Sequence, residues 1–294
     1  MKIAAFNVQK LAAKKVNNEA VCKSLIKIVS RYSVVVMLEV IDQSGKVMKK
    51  FLSKLNSYGR NRNHPFTMKC SKPLGRGFYK EKFVFFYRED EVTMLDSYQY
   101  EEDEAEEEDE EEEYEEEYEE EDEEEEDEKV DLLIREPFIL RFKCPNTVVQ
   151  DLVLIPVHTK PEDAHIELDA LGDVVDAARK RWGTDKIMIL GDFNAGGRYL
   201  TKKKKAESRL CSADYHWLID DDVDTTTSNR NNHTYDRIVV FGKTMLNAIV
   251  PGSAKSFNFQ TEFRLTEKDA QSISDHYPVE VELKTRAQRR KRTA

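Results

Sequence analysis

The chain has 294 residues, 39% of them hydrophobic and 35% charged, with a formal net charge of −11. This length suits one large domain or two small ones, with enough apolar residues for a sizeable core. There is no apolar run long enough for a transmembrane helix, and the four cysteines form no CxxC pair and have no neighbouring histidine cluster, which argues against a zinc site.

Strand and helix patterns alternate in the first hundred residues. The runs "IAAFNV" and "VVVMLEV" predict buried strands because they are short, apolar and rich in β-branched residues. Between them, apolar residues recur at helical spacing from Val21 to Val29, after Asn17-Asn18 as a candidate N-cap. A second helix is predicted around Val47, Phe51 and Leu55, and "KFVFFYR" and "VTMLDSY" predict a pair of strands.

An acidic run interrupts this pattern. Residues 101–128 contain 25 Asp or Glu, and only Ala105, Tyr114 and Tyr118 differ. Such a segment cannot build a packed core, so we expect a disordered insertion in a loop. Removing its 25 carboxylates from the net charge of −11 leaves +14, of which six positive charges lie in the last eleven residues. The basic body suits a polyanionic partner, although many soluble proteins are mildly basic.

The second half continues with the same alternation. "PFILRF", "LVLIPVH", "KIMILGD", "DRIVVF", "LNAIV" and "YPVEVEL" are the apolar runs, and a helix is predicted from about Pro161 to Trp182. A Lys/Ser-rich loop is expected after "GDFN", and a short helix near Glu267. Strands dominate and helices return at intervals, which predicts an α/β domain of sheets covered by helices. Because strands on both sides of the acidic run suit one sheet system, we expect one domain over residues 1–284, interrupted by 101–128, and a basic tail over 285–294.

Polar side chains cluster at the ends of these strands. Each residue alone is more often a turn former or helix cap, but the set contains only carboxylates, amides and imidazoles. It comprises Asn7, Glu39, His158, Asp192, Asn194, Asp236, Asp275 and His276. Strand ends are where layered α/β proteins place their sites. We therefore expect these residues to share one site.

The residue types within this set fit one kind of chemistry. Oxygen ligands from Glu39, Asp192 and Asp275, with the amides of Asn7 and Asn194, suit Mg²⁺ or another hard divalent cation. Two histidines would then serve as general acid and base, each oriented by a carboxylate. The residues therefore predict metal-assisted hydrolysis of a phosphoester.

Longer stretches add a family resemblance. "KIAAFNVQ", "PLGRGFYKEKFVFFYR", "REP", "VHTKPEDAHIEL", "GDFNA", "YDRIVV", "IVPGSAKSFNFQ" and "SDHYPVEVEL", in this order, resemble the deoxyribonuclease I family within the endonuclease/exonuclease/phosphatase superfamily. The resemblance covers nearly the whole chain except the acidic run and the tail. It implies a four-layer α/β sandwich of two packed mixed β-sheets flanked by helices, and an endonuclease that leaves 5′-phosphate and 3′-hydroxyl ends.

The resemblance also implies a role for each site residue. His158, oriented by Glu81, would protonate the leaving oxygen, and His276, oriented by Asp236, would activate water. The ligands of Mg²⁺ or Mn²⁺ would be Glu39, Asn7, Asp192, Asn194 and Asp275. Arg135 would hold a phosphate, Tyr79 would lie against a deoxyribose, and Thr226 would contact the DNA backbone. Glu136 and Asp224 would be calcium ligands. From the residues alone, Glu81 is better interpreted as a surface carboxylate of a hairpin strand.

Departures from the family pattern affect the expected partners. Gln9, Ile41 and Gly77 stand where the family has Arg, Arg and Asn, so the grip on the minor groove is in doubt. Gly197 and His233 occupy the two positions of a disulfide in secreted members. With no secretory signal at Met1 and a basic tail, we expect a cytoplasmic or nuclear monomer, secreted only if the chain was trimmed. The segment "QSGKV" does not match the actin-contacting segment, so tight actin binding is not expected.

Three functions stay open from the sequence. The first is a DNA endonuclease, the second another phosphoesterase acting on phosphoinositides or abasic sites, and the third an inactive module that binds histones or DNA. The acidic run has two candidate partners, namely basic proteins such as histones, or the basic groove of its own chain. No membrane partner is expected.

Overall fold

The computed structural model describes residues 1–101, 132–197, 199–230 and 232–287, which form twelve strands and eight α-helices. The strands are β1 (Lys2–Leu11), β2 (Val34–Val40), β3 (Phe66–Cys70), β4 (Lys82–Arg88), β5 (Thr93–Gln99), β6 (Phe138–Lys143), β7 (Asp151–His158), β8 (Ile187–Asp192), β9 (Tyr215–Trp217), β10 (Asp236–Phe241), β11 (Lys255–Ser256) and β12 (Val279–Glu282). The helices are α1 (Ala13–Asn17), α2 (Glu19–Val29), α3 (Lys46–Asn56), α4 (Ala164–Trp182), α5 (Lys202–Glu207), α6 (Gly242–Ala248), α7 (Phe259–Glu262) and α8 (Glu267–Ile273).

Two mixed six-stranded sheets pack face to face. Their strand orders are β11-β12-β1-β2-β4-β3 and β5-β6-β7-β8-β10-β9. Alternate residues of β1 face opposite sides, so Ile3 and Ala5 join the core between the sheets while Ala4 and Phe6 pack under α2, α3 and α8. The outer face of the second sheet is covered by α4. The predicted four-layer α/β sandwich is confirmed.

Most predicted elements are found, with two differences. Asn18 caps α2, since its side chain accepts a hydrogen bond from the Val21 amide. The long helix predicted from about Pro161 is α4, which begins at Ala164. The Lys-rich segment is not all loop, because Thr201 caps the short helix α5. "LNAIV" is not a strand either. Its first three residues end α6, and Ile249 makes only an isolated bridge to Leu283.

The described residues leave parts of the sequence prediction untested. Residues 102–131 of the acidic region and 288–294 of the tail lie outside them, so the proposed domain limits stay a prediction. Within the described ranges, no helix combines the length and apolar character needed to cross a bilayer. All four cysteines are free, and Cys22 is buried on the apolar face of α2.

The strand directions explain why the polar residues meet at one edge. Both β1–β2 and β7–β8 are parallel pairs, so the residues that end them lie at the same edge. The neighbouring strands β4, β10 and β12 run antiparallel to β2, β8 and β1, so their beginnings lie there too. The site residues accordingly lie in the second half or at the end of β1, β2, β7 and β8. They lie just before or at the start of β4, β10 and β12.

Candidate active site

The first catalytic candidate is His158 at the end of β7. Its Nδ1 is hydrogen-bonded to Oε1 of Glu81, and Nε of Arg135 lies 2.9 Å from the same oxygen. Arg135 also donates to the His158 carbonyl at 3.2 Å. Glu81 is only 2% exposed, so the interpretation as a surface carboxylate is wrong, although the residue does lie in the β3–β4 hairpin, where it forms a bridge with Leu74.

The charges of this group compensate one another. Burial alone would raise the pKa of Glu81, but His158 and Arg135 outweigh it and lower that pKa. Burial alone would lower the pKa of His158, and the Glu81 carboxylate outweighs it and raises that pKa. Glu81 is therefore an anion that fixes the His158 ring and favours its protonated form.

The second candidate is His276, in the loop between α8 and β12. Its Nδ1 lies 2.7 Å from Oδ2 of Asp236, the first residue of β10. Burial raises the pKa of the fully buried Asp236 to about 6, although His276 opposes the rise. Burial would lower the pKa of His276, but Asp236 and Asp192 outweigh it and raise that pKa well above its usual value. We call the two pairs the Glu81–His158 dyad and the Asp236–His276 dyad.

Carboxylates occupy the space between the two dyads. Nε2 of His158 lies 3.9 Å from Oδ2 of Asp192, and Nε2 of His276 lies 3.7 Å from the same oxygen. The Asn7 amide donates to this oxygen at 3.0 Å and to Oε1 of Glu39 at 3.1 Å. Both imidazole nitrogens therefore face one buried carboxylate oxygen.

The backbone at this edge is strained. Of five described non-glycine residues with positive φ, four lie beside the site, namely Gln9, Lys10, Glu39 and Asn194. The β1–β2 register shifts between Asn7 and Leu11, and the β2–β4 register shifts between Met37 and Val40. Such bulges re-aim side chains, and strain of this kind is stored at functional sites.

Glycine at position 191 is required by a close strand approach. Gly191 pairs with Val157 in the parallel β7–β8 register and has a φ of 149°. A Cβ at this position would lie 2.0 Å from the Val157 carbonyl oxygen. Glycine has no Cβ, so β7 and β8 can approach closely here. This close approach brings His158 and Asp192 side by side at the ends of the two strands.

Two further predicted ligands lie in loops next to these strands. The Asn194 amide N–H donates to the Asp192 carboxylate at 3.0 Å, and its side chain donates to the Thr159 carbonyl at 2.9 Å. Oδ1 of Asp275 lies 3.8 Å from Nε2 of His276, and the Asp275 side chain is half-exposed. Ser274 donates to the Asn7 carbonyl at 2.6 Å, which joins the last loop to β1.

The donor set fits a hard divalent cation. Glu39, Asp192 and Asp275 offer carboxylate oxygens, and Asn7 and Asn194 offer amides, as Mg²⁺ prefers. Within the described ranges, one group of three or more His, Cys, Asp or Glu brings its ligand atoms within 4.8 Å, and it comprises Asp192, Asp236 and His276. In that group Asp236 is engaged by His276, so the oxygen-rich side of Asp192 offers the better fit for a cation.

The remaining predicted residues differ in their exposure and in their contacts. Tyr79 is 40% exposed, and burial and the nearby Glu39 and Glu81 raise the pKa of its phenol. Thr226 is buried, forms an isolated bridge with His276 and donates to Asp224 at 2.8 Å. The Glu136 carbonyl accepts a hydrogen bond from Gln99 on β5.

Phosphate, sugar and calcium roles stay predictions for these residues. Neither Glu136 nor Asp224 belongs to the ligand group found among the described residues.

Sequence reasoning missed two supporting residues. Lys15 of α1 donates to the carbonyls of Val8, Gln9 and Ile273 at 2.6–2.9 Å, which ties the β1 bulge to the loop of His276. Glu167 of α4 is 1% exposed and accepts from the Lys160 amide at 2.7 Å. Burial raises the pKa of Glu167 to about 7, although the Lys160 and Ile134 amides and Arg135 oppose the rise.

No motif marks these two residues in the sequence. Each is a single charged residue on a helix whose partners are backbone atoms outside that helix.

Comparison with known proteins gives a consistent relationship. A sequence profile of the Endonuclease/Exonuclease/phosphatase family matches residues 4–276. Deoxyribonuclease-1 of Oryctolagus cuniculus is 39% identical over 96% of this chain and 92% of its own length. Deoxyribonuclease-1-like 1 of Cricetulus griseus is 40% identical over 96% of this chain and 83% of its own length.

Solved structures share the fold at low sequence identity. An endonuclease/exonuclease/phosphatase family protein from Leptotrichia buccalis superposes with a TM-score of 0.60 at 15% identity, over 97% of this chain and 99% of that one. The human Nocturnin catalytic domain with bound sulfate superposes with a TM-score of 0.58 at 12% identity, over 97% of this chain and 94% of that one. On the profile match and the two relatives, the chain belongs to the endonuclease/exonuclease/phosphatase family, as a deoxyribonuclease I-like member.

Proposed function

We propose that this protein is a divalent-metal-dependent endonuclease that hydrolyses DNA phosphodiester bonds to 5′-phosphate and 3′-hydroxyl ends. The observation that carries the proposal is the approach of both imidazole Nε2 atoms to one oxygen of Asp192, at 3.9 and 3.7 Å. A phosphodiester placed there has a proton donor and a proton acceptor on either side, as hydrolysis requires. The names of the relatives favour DNA as the substrate.

His158 is the general acid in this mechanism. Its Nδ1 is held by Glu81, so the proton available for transfer is on Nε2, which faces the centre of the site. The Glu81 carboxylate raises the pKa of His158, which favours the protonated form that a general acid needs. The leaving 3′ oxygen takes the proton as the bond to phosphorus breaks.

His276 is the general base on the other side. Asp236 fixes its Nδ1 and leaves Nε2 to accept a proton from water. Asp236 also stabilises the imidazolium that forms when the water is deprotonated. The deprotonated water then attacks phosphorus opposite the leaving oxygen.

The carboxylates between the dyads need a positive partner to admit a phosphate. Glu39, Asp192 and Asp275 would hold a divalent cation with the help of Asn7 and Asn194. When bound, such a cation offsets the negative charge of the carboxylates and polarises the phosphoryl oxygens. Mg²⁺ or Mn²⁺ suits this oxygen-rich set, and calcium at Glu136 or Asp224 is a further proposal.

Plasmid nicking tests the function. The wild-type protein with Mg²⁺ should convert supercoiled plasmid to the nicked form, and chelation or His158→Ala should abolish most of this activity. Phosphate release from inositol phosphates is the parallel assay for the alternative phosphoesterase. Equal nicking by His158→Ala and the wild type would remove His158 from the mechanism.

The partners and location of the chain are proposals of the same kind. We propose a monomer that acts on DNA in the cytoplasm or nucleus without tight actin binding. If the acidic run competes in cis with DNA, deleting residues 101–128 raises activity at low salt, and the gain shrinks as salt screens the charges. An unchanged rate at low salt would leave the run as an inert loop or as a loop that binds a basic partner such as a histone.

A further inference from the structure

One aromatic side chain beside the site projects fully into solvent. Phe78 is 106% exposed, whereas every other large hydrophobic side chain in the described part of the chain is at most 50% exposed. A single exposed apolar residue is common on protein surfaces. The position of Phe78 makes this one informative.

Phe78 lies on a closed loop anchored to the Glu81–His158 dyad. The loop, residues 75–80, is pinned by two backbone hydrogen bonds between Leu74 and Glu81 at 2.7 and 3.0 Å. Lys80 crosses the loop and donates to the Gly75 carbonyl. Three peptide bonds separate Phe78 from Glu81, which limits the distance between their Cα atoms to about 11 Å. The ring therefore lies on the rim of the site, on the side of the Glu81–His158 dyad.

The loop turns Phe78 away from the protein. Gly75 and Gly77 both have positive φ, and a Cβ on Gly77 would meet no atom within 4 Å. The next residue, Tyr79, is only 40% exposed and lies near Lys10, whose Nζ is 5.9 Å from its ring centre. Two adjacent aromatic rings thus take different environments, one against the site and one in solvent.

The surrounding charge favours a nucleic-acid strand. Residues 72–82 contain Lys72, Arg76, Lys80 and Lys82 against the single acid Glu81, and Lys72 also pairs with Glu101. Cations of this density neutralise phosphates, and aromatic rings among them stack on bases. A base within a duplex presents only its edges unless neighbouring pairs are unstacked at a cost, so an exposed ring stacks most readily on a base that is unpaired.

We propose that Phe78 is a stacking platform for an unpaired base next to the scissile phosphate, which makes it a specificity-determining residue. The enzyme accordingly prefers DNA with an extrahelical or mismatched base near the cut. This inference rests on the proposed endonuclease function. Stacking on one base contributes about 1–3 kcal/mol, or roughly fivefold to 150-fold.

The test compares two duplexes that differ only in one extrahelical base near a mapped cleavage position. For the wild type, kcat/KM should be at least about fivefold higher on the bulged duplex. Phe78→Ala should reduce this ratio to near one, and Phe78→Trp should restore it. Leu95→Ala is the matched control, since Leu95 is 50% exposed on β5, and it should keep the wild-type ratio.

Binding separates failure of the stacking role from failure of the proposed function. Anisotropy of labelled duplexes should show the same preference in the His158→Ala protein and its loss in the His158→Ala/Phe78→Ala double variant. A ratio that Phe78→Ala leaves unchanged overturns the proposal, as does a wild type that favours the fully paired duplex. If the wild type cuts neither duplex, the endonuclease proposal is wrong, and the binding ratio alone decides the role of Phe78.

Discussion

The two dyads share a carboxylate on imidazole Nδ1 but differ in what surrounds that carboxylate. Glu81 lies 2.9 Å from Arg135, whereas Asp236 pairs across the sheet with Asp192, another carboxylate. The pKa of Glu81 is therefore lowered, and burial raises that of Asp236 to about 6. The Glu81–His158 dyad thus has a positive charge beside its carboxylate. The Asp236–His276 dyad has a second negative charge there instead.

The two dyads are also supported by different kinds of side chain. The loop after His158 is held by a carboxyl group, since Glu167 accepts from the Lys160 amide. The loop before His276 is held by a cation, since Lys15 donates to the Ile273 carbonyl. The comparison indicates that a bound cation matters most to the Asp236–His276 dyad, because Asp192 and Asp275 both raise the pKa of His276.

The largest effect is expected for Asp236→Asn. The amide cannot hold His276 as a base and stabilise the imidazolium, so kcat should fall about 10³-fold, within the range for loss of general base catalysis. NMR titration should also show a lower pKa for His276. Asp214→Asn, at an exposed position, is the control. A kcat within about threefold of wild type would exclude His276 as the base.

Glu81→Gln should have a smaller effect with a different signature. The variant leaves Arg135 beside His158, which lowers the pKa of the imidazole. An acid must be protonated to act, so the alkaline limb of the pH–kcat profile should move to lower pH, with about 10² lost at neutral pH. Glu89→Gln is the exposed control. An unshifted limb would mean that His158 is not the acid.

Glu167→Gln tests the support from this carboxyl group through stability. The pKa of Glu167 is raised to about 7 in the folded protein, so the folded state binds the proton more tightly. Stability from this group is full at low pH and is lost as pH rises through 7. From pH 5.5 to 7.5 the wild type should lose about 2 kcal/mol of unfolding free energy that Glu167→Gln does not lose.

Denaturant unfolding at both pH values measures this difference. The exposed Glu162→Gln should retain the wild-type pH dependence. The same pH dependence in Glu167→Gln would show that Glu167 is already ionised in the folded protein at pH 5.5.

The sequence predicted the centre of the site better than its supports. Asn7, Glu39 and Asp192 end apolar strands, so their polarity stood out against their neighbours, and parallel pairing brought them together. Glu81 needed the family resemblance, because its own sequence context is that of a surface hairpin. The positive φ of Glu39 depends on a register shift between strands, and the exposure of Phe78 depends on a loop path. Neither is visible in local propensity.

The smallest effect is expected for Lys15→Met, which tests the cationic support. The variant keeps the apolar stem of the side chain and removes three hydrogen bonds to carbonyls. Lys15 is only partly buried, so water can replace some of them. The β1 bulge and the His276 loop should then move more freely, which lowers kcat by about fivefold to tenfold while KM changes little. Lys14→Met, at the exposed neighbouring position, is the matched control. A larger loss of kcat in Glu167→Gln than in Lys15→Met would reverse the comparison and make the Glu81–His158 dyad the more dependent on its support.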